Sequence, residues 1–386
     1  MDFDLTEEQK MLKTNAREFL EKEIVPIADE YDRKGPLTRD EAIGFIKQLK
    51  PFGYYSGTLP EELGGAGLDN KTHGVLLEEL SRAWAGLAGM VWLAGLWSGV
   101  AQFDTETDMA KRLVPRMMAG ELIGCGGITE PNVGSNAQSI ETTATLDGDE
   151  WVINGTKTWI SNGQIADLCL VLAVTDKSKG PLGISMILAE REFSPYGIRE
   201  LHKLGLRAWP TDELSFVDCR VPKENLLTLA SSGYKMTMVG FELARCHLAI
   251  MSVGIAQAAI DAAIDYARER KQFGRPIGSF QMIQEMIVDM IAETEASRLL
   301  AYRAYDLIDK GERCRWQSSL AKAYATEMAI WTTSKAIQVH GAMGLSEEYP
   351  VERYFRDART MTIPDGTTQI QKLVVGREVI GIRAFT

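Results

Sequence analysis

The chain has 386 residues, 45% of them hydrophobic and 25% charged, enough for two or three domains around a sizeable core. A net charge of −11 and a pI near 5.1 exclude nucleic acid as the main partner. No apolar run reads as a membrane span, Met1-Asp2-Phe3-Asp4 opens no targeting segment, and five scattered cysteines without a CxxC pair fit free thiols in a reducing cytoplasm with no metal site.

Residues 1–120 read as an N-terminal α-helical domain. Thr6-Glu7-Glu8-Gln9 is a capping-box pattern ahead of Leu12, Ala16, Phe19 and Leu20 at helical spacing. Pro26 interrupts or closes that helix, and Thr38-Arg39-Asp40-Glu41 opens another. The glycine-rich stretch Pro60–Gly67 is not a dinucleotide loop, because no apolar strand precedes it and the GxGxxG spacing is absent. Helices are expected near Val75–Arg82 and Met109–Met118. Between them Met90–Trp97 is apolar all round, either a buried helix or a pocket wall carrying Trp92 and Trp97.

Residues 121–230 change texture. Asp147-Gly148 and Asn154-Gly155 are hairpin signals, and Trp151–Ile153, Leu168–Val174, Ile184–Leu188 and Leu214–Val217 look like strands. Together they predict a small antiparallel barrel or sandwich. From 231 to 386 helices return. Gly254–Arg270, Gln281–Lys310 and Trp316–Gly341 have helical apolar spacing and short connections, which predicts an antiparallel bundle. The class is therefore α+β and mostly α.

Five stretches could carry chemistry. Gly126–Ser135, with Ile128 and Thr129, offers small residues and backbone N–H groups to phosphate or ring-carbonyl acceptors, or serves as an ordinary loop. Trp159-Ile160-Ser161 sets an aromatic plane beside a hydroxyl, or is simply core. Arg270, on a basic Gly-Pro turn with Phe273, could pair with phosphate or only meet water. Gln338-Val339-His340-Gly341-Ala342 ends a helix with small residues. Ile363–Gln371 holds Asp365-Gly366 ahead of Thr367, Thr368 and Gln369: a turn and helix cap, or a carboxylate offered at a helix entrance with a glycine that admits a ligand.

Seven motifs in order over nearly the whole chain resemble the acyl-CoA dehydrogenase family of flavoproteins. They are PEELGGAGL at Pro60–Leu68, ITEPNVGS at Ile128–Ser135, NGTKTWISN at Asn154–Asn162, KLGLR at Lys203–Arg207, RKQFG at Arg270–Gly274, HGAMG at His340–Gly344 and DGTTQIQ at Asp365–Gln371. The resemblance implies an N-terminal helical domain, a central β-barrel and a C-terminal four-helix bundle. It also implies FAD, an acyl-CoA substrate, a homotetramer built as a dimer of dimers, and electron-transferring flavoprotein as electron acceptor. By matching position, Gly126, Ile128, Thr129, Ser135, Trp159, Ile160 and Ser161 would line the flavin. Arg270, Phe273, Gln281 and Gln338–Ala342 would hold the diphosphate and adenosine part, in this family usually of a neighbouring subunit's FAD, and Thr367 and Gln369 would also touch FAD. Ser135, Glu242, Arg245 and Gly366 would line the substrate channel, with Trp92 and Trp97 at its apolar end.

The resemblance puts the catalytic base at Asp365, where the family usually has glutamate. Aspartate is one methylene shorter, so its oxygens retreat by roughly 1.5 Å. Some relatives carry the base on the helix around Glu242–Arg245, but the matching position here is Ala244. Trp209 stands where many relatives have serine. The expectation is an alicyclic or α-branched acyl-CoA, such as cyclohexane-1-carboxyl-CoA. The alternatives are a dehydrogenase of short, branched or dicarboxylic acyl-CoA, an acyl-CoA oxidase, or a non-catalytic FAD- or CoA-binding module.

Overall fold

A computed structural model describes residues 4–96, 107–227 and 233–384. Helix α1 (Glu7–Glu23) starts at a complete capping box, Thr6 accepting from the Gln9 N–H while the Gln9 side chain accepts from the Thr6 N–H. α2 (Val25–Lys34) follows at once, with Pro26 in its first turn, where a missing N–H costs nothing. α3 (Arg39–Leu49) opens on the second capping box, Thr38 with Glu41. α4 (Asn70–Leu96) joins the two stretches read separately from the sequence. Its backbone breaks at Trp84 (φ −161°, ψ 99°), whose buried ring packs between Tyr31 and Phe45. α5 (Asp108–Met118) is capped by Thr107.

The middle region is a curled sheet of β1 (Gly124–Gly127), β2 (Thr143–Asp147), β3 (Glu150–Ser161), β4 (Leu168–Val174), β5 (Ile184–Glu190), β6 (Gly197–Glu200) and β7 (Thr211–Pro222). Asp147-Gly148 does make the β2–β3 hairpin, with Asp147 opposite Glu150. Asn154-Gly155 does not make a hairpin. It lies inside β3 at a register shift against β7, where a Cβ on Gly155 would sit 2.4 Å from Thr142 Oγ1, so only glycine fits. Nor is the sheet wholly antiparallel. β1 and the first residue of β2, Thr143, pair with β4 in parallel, which the long crossover through β3 permits.

α6 (Gly233–Glu269) begins some twenty residues before the expected Gly254. Its Thr237–Glu269 part is long and apolar enough to cross a membrane, correcting the expectation that no run is, and 78% of its most apolar window is buried inside the fold. It is the central helix of the molecule, apolar all round because α4, α7 (Gln281–Asp309), α8 (Arg315–His340) and α9 (Val351–Met361) surround it. The hairpin β8 (Lys271–Gln272) and β9 (Arg275–Pro276) separates α6 from α7, and α10 (Thr368–Ile380) packs on α8. The largest core cluster runs without a break from α1–α4 into α6–α9, and the barrel has its own core of Ile153, Ile160, Val171, Ile187, Leu214 and Phe216.

Candidate active site

Six residues link α9 to α10, and Asp365 lies among them, two positions before the helix cap rather than at it. The cap is Thr367, whose hydroxyl accepts from the Ile370 N–H. Asp365 (φ +53°) and Gly366 (φ +96°) are consecutive left-handed residues. This conformation is costly for a non-glycine residue and persists only where surroundings impose it. Those surroundings are buried donors. The Gln371 amide donates to the Asp365 carbonyl (2.9 Å) and the Gly366 carbonyl (2.8 Å). The Lys322 ammonium of α8 donates to the Gly366 carbonyl (2.6 Å) and the Thr362 carbonyl (3.2 Å). The Thr368 hydroxyl donates to Glu327, fixing the start of α10 to α8. Glycine suits position 366 because its φ of +96° would strain any side chain, and a Cβ there would press on the Gln371 amide at 2.6 Å.

The Asp365 carboxyl is pushed above its ordinary value by burial, against the pull of Lys322 and Arg245. Arg245 is 7% exposed. Its Nη1 reaches Ser319 Oγ at 3.4 Å, and its Nε has no partner. Ala244 brings only a buried methyl to this region. The Glu242 carboxylate pairs with Arg313 and accepts from the Cys314 N–H (3.2 Å) at the start of α8. Trp92 is buried with its ring 5.2 Å from His247, which bonds the Tyr305 hydroxyl. Trp209 donates from Nε1 to Asn162 Oδ1 (2.9 Å), and its ring lies on Gly89, where a Cβ would approach it to 2.2 Å. Trp97 lies outside the described residues.

The barrel brings the next group together. Thr158 N–H donates to the Thr129 carbonyl (2.9 Å), so the Gly126–Ser135 loop lies against the end of β3 that carries Trp159 and Ser161. Trp159 takes a left-handed φ of +59° and remains 58% exposed, an indole face unlike a core tryptophan. The Ile160 side chain points into the barrel core instead, leaving only its backbone for a ligand. The loop is braced by a buried ion pair, Lys157 Nζ to Glu130 Oε1 at 2.7 Å. Glu130 also accepts from the Glu141 and Thr142 N–H groups. Burial works to raise that carboxyl, and Lys157 and these donors bring it below its ordinary value. Ser135 and Gly126 are accessible on the loop.

A third group gathers at the far end of α8. Arg270 immediately precedes β8, Phe273 lies on the β8–β9 turn, left-handed and 93% exposed, and Gln281 is the first residue of α7. Gln338, Gly341 and Ala342 are exposed close by, because Ile277 of the turn shares one apolar cluster with Val339. Val339, like Ile160, spends its side chain on the core. His340 bonds the Ala336 carbonyl through Nδ1 (2.8 Å) and stacks on Tyr266 (4.4 Å), while its buried Nε2 has no partner. From Lys322 to His340 is about 27 Å along α8. Within one chain, then, Thr367 and Gln369 do not meet Arg270 and His340. The unpartnered His340 nitrogen, the exposed cation and the bare indole fit a dinucleotide cofactor such as FAD.

The sequence reading missed the supports: Lys157–Glu130, Asn162, Lys322 and Gln371. Asn162 (φ +65°) ties Trp209 to the carbonyls of Met90 and Gly124. The one available signal was a lysine flanked by small residues, in Ala321-Lys322-Ala323.

Comparison with known proteins agrees with this geometry. The acyl-CoA dehydrogenase N-terminal, middle and C-terminal domain families match residues 6–121, 125–219 and 231–380. Glutaryl-CoA dehydrogenase of Desulfococcus multivorans is 38% identical, with 99% of each chain covered. The butyryl-CoA dehydrogenase structure from Megasphaera elsdenii superposes with TM-score 0.92 at 35% identity, over 98% of this chain and 100% of that one. A structure from work titled on the electron transferring flavoprotein of Acidaminococcus fermentans does so with TM-score 0.93 at 37% identity, over 98% and 100%. With all three domains matched and the carboxylate loop, barrel loop and bundle end arranged as described, the chain belongs to the acyl-CoA dehydrogenase family and is an FAD-dependent acyl-CoA dehydrogenase.

Proposed function

We propose that the enzyme dehydrogenates an alicyclic or α-branched acyl-CoA, such as cyclohexane-1-carboxyl-CoA, with Asp365 as the base that removes the α-proton. The observation that carries this is the Asp365 loop, a half-buried carboxylate held in a left-handed turn by internal donors, with no acid at Ala244 to replace it. FAD, when bound, supplies the acceptor for the β-hydride. The chain's own residues do the rest. Burial makes Asp365 a stronger base than a solvated carboxylate. The Asp365 backbone N–H steadies the thioester oxygen as negative charge gathers there, a donor of a kind whose removal costs about 2.7–4 kcal/mol. Gly366 and Arg245 border the same pocket, and Thr129, Trp159 and Ser161 face the flavin.

The short side chain decides the substrate. A base drawn back by one methylene suits an acyl group whose α-carbon carries a ring or branch that fills the width. Trp92 and Trp209 are both buried, and as the apolar end of the channel they would keep it broad and shallow. The exposed group at the far end of α8, together with exposed Met282, Val288, Val379 and Ile380, supports a homotetramer in which Arg270, Gln281 and Gln338–Ala342 hold a neighbour's FAD. Electron-transferring flavoprotein is the proposed acceptor, supported by the structural relative from work on such a protein. Five buried free cysteines support a cytoplasmic site of action. Turnover measured across a panel of acyl-CoAs tests the substrate. A preference for ring or α-branched acyl groups is expected, and a preference for linear C8 or longer chains would overturn it.

A further inference from the structure

Lys322 is a lysine at 0% exposure in the middle of the bundle, among Ala321, Ala323 and Ala325. Among the described residues no carboxylate lies within ion-pair distance of it. Its ammonium touches two backbone carbonyls, and one of them belongs to Gly366, the residue after the base. The charged groups that face it are Asp365 on the loop, Arg245 from α6 and Glu327 on its own helix. Arg245 in turn faces Glu242 and Arg315. Burial pushes the ammonium down to about 8, with Asp365 pulling it back up. A buried, unpaired cation is expensive to keep unless its charge is used.

We propose that Lys322 is a positioning residue for proton removal: it anchors the Gly366 carbonyl, and its charge keeps the half-buried Asp365 carboxylate ionised and ready to accept a proton. The proposal rests on Asp365 being the base. Burial raises the Asp365 carboxyl, and a carboxyl that already holds a proton can accept none. A fixed cation across the loop opposes that rise, as an opposite charge within a few ångströms does generally. Gln371 provides the natural comparison, since it donates to the same Gly366 carbonyl, and to that of Asp365, without a charge. The pair separates anchoring from electrostatics.

The test is the pH profile of anaerobic flavin reduction by substrate in purified holoenzyme. Lys322→Gln keeps N–H donors and loses the charge, so its acid limb should move upward by about one pH unit. Lys322→Met should move it the same way, while Lys322→Arg should leave it near the wild-type position. Gln371→Met should slow the reaction at every pH without moving the limb. Limb position is read from normalised rates and does not depend on the folded fraction, so either neutral variant suffices. A wild-type acid limb in the neutral variants overturns the proposal. Asp365→Asn separates this from the underlying assignment: if it reduces flavin as fast as wild type, the base reading fails whatever Lys322 does.

Discussion

The two ends of α8 are built on opposite plans. At the Lys322 end the Thr362, Asp365 and Gly366 carbonyls of the turn meet internal donors, and two left-handed residues are held by Lys322 and Gln371. At the His340 end polar groups are left open: exposed Arg270 and Gln338, a nearly bare Phe273 and a buried His340 nitrogen without a partner. The contrast teaches which end completes itself. The first end is organised within one chain and fixes one carboxylate. The second leaves its polar groups open, and lies too far along the helix to serve the same pocket.

The largest test of this division is Asp365→Ala. It should slow flavin reduction by acyl-CoA about 10²–10⁴-fold while leaving FAD content unchanged, as read by stopped-flow absorbance and the flavin-to-protein ratio. Loss of FAD in step with rate would blur the two ends. Next comes the brace under the barrel loop. Glu130→Ala leaves the Lys157 ammonium buried and uncompensated, at a cost of about 3–5 kcal/mol, seen as a lower Tm and weaker flavin retention. Arg270→Ala should act only at the open end. It should weaken FAD retention by the roughly 1.5–3 kcal/mol of a hydrogen bond to a charged group, with the acid limb of the pH profile in place.

The smallest effect concerns Asp212, buried with one oxygen unpartnered and pushed up to about 6 by burial. Its folded pKa lies above the unfolded value near 4, so the folded state holds the extra proton between those limits. That contribution is present at low pH and is lost as pH rises through about 6. Asp212→Asn should therefore raise Tm at pH 8 more than at pH 5, by thermal unfolding at both values.

Much of this was legible in the sequence for identifiable reasons. Capping boxes at Thr6 and Thr38 are local, so their helices began where expected. Asp147-Gly148 was a true hairpin, but Asn154-Gly155 was not. Its glycine answers to Thr142, just ahead of the neighbouring strand, a contact that no local pattern reveals. The start of α6 was missed because a helix buried on every side lacks the amphipathic signal. In the site, exposed motif residues such as Trp159 and Arg270 were picked out by type. Lys322 and Gln371 were not, because their role lies in which carbonyl they reach across the bundle. The partners of Glu242 were equally hidden: its carboxylate pairs with Arg313 and accepts from the Cys314 N–H.

The central claim is that Asp365 removes the α-proton. Exchange of the α-hydrogen of cyclohexane-1-carboxyl-CoA with deuterated water, followed by mass spectrometry, reads that step apart from hydride transfer. The account predicts exchange with the wild-type holoenzyme and its loss in Asp365→Asn. Exchange at the wild-type rate in Asp365→Asn would contradict it.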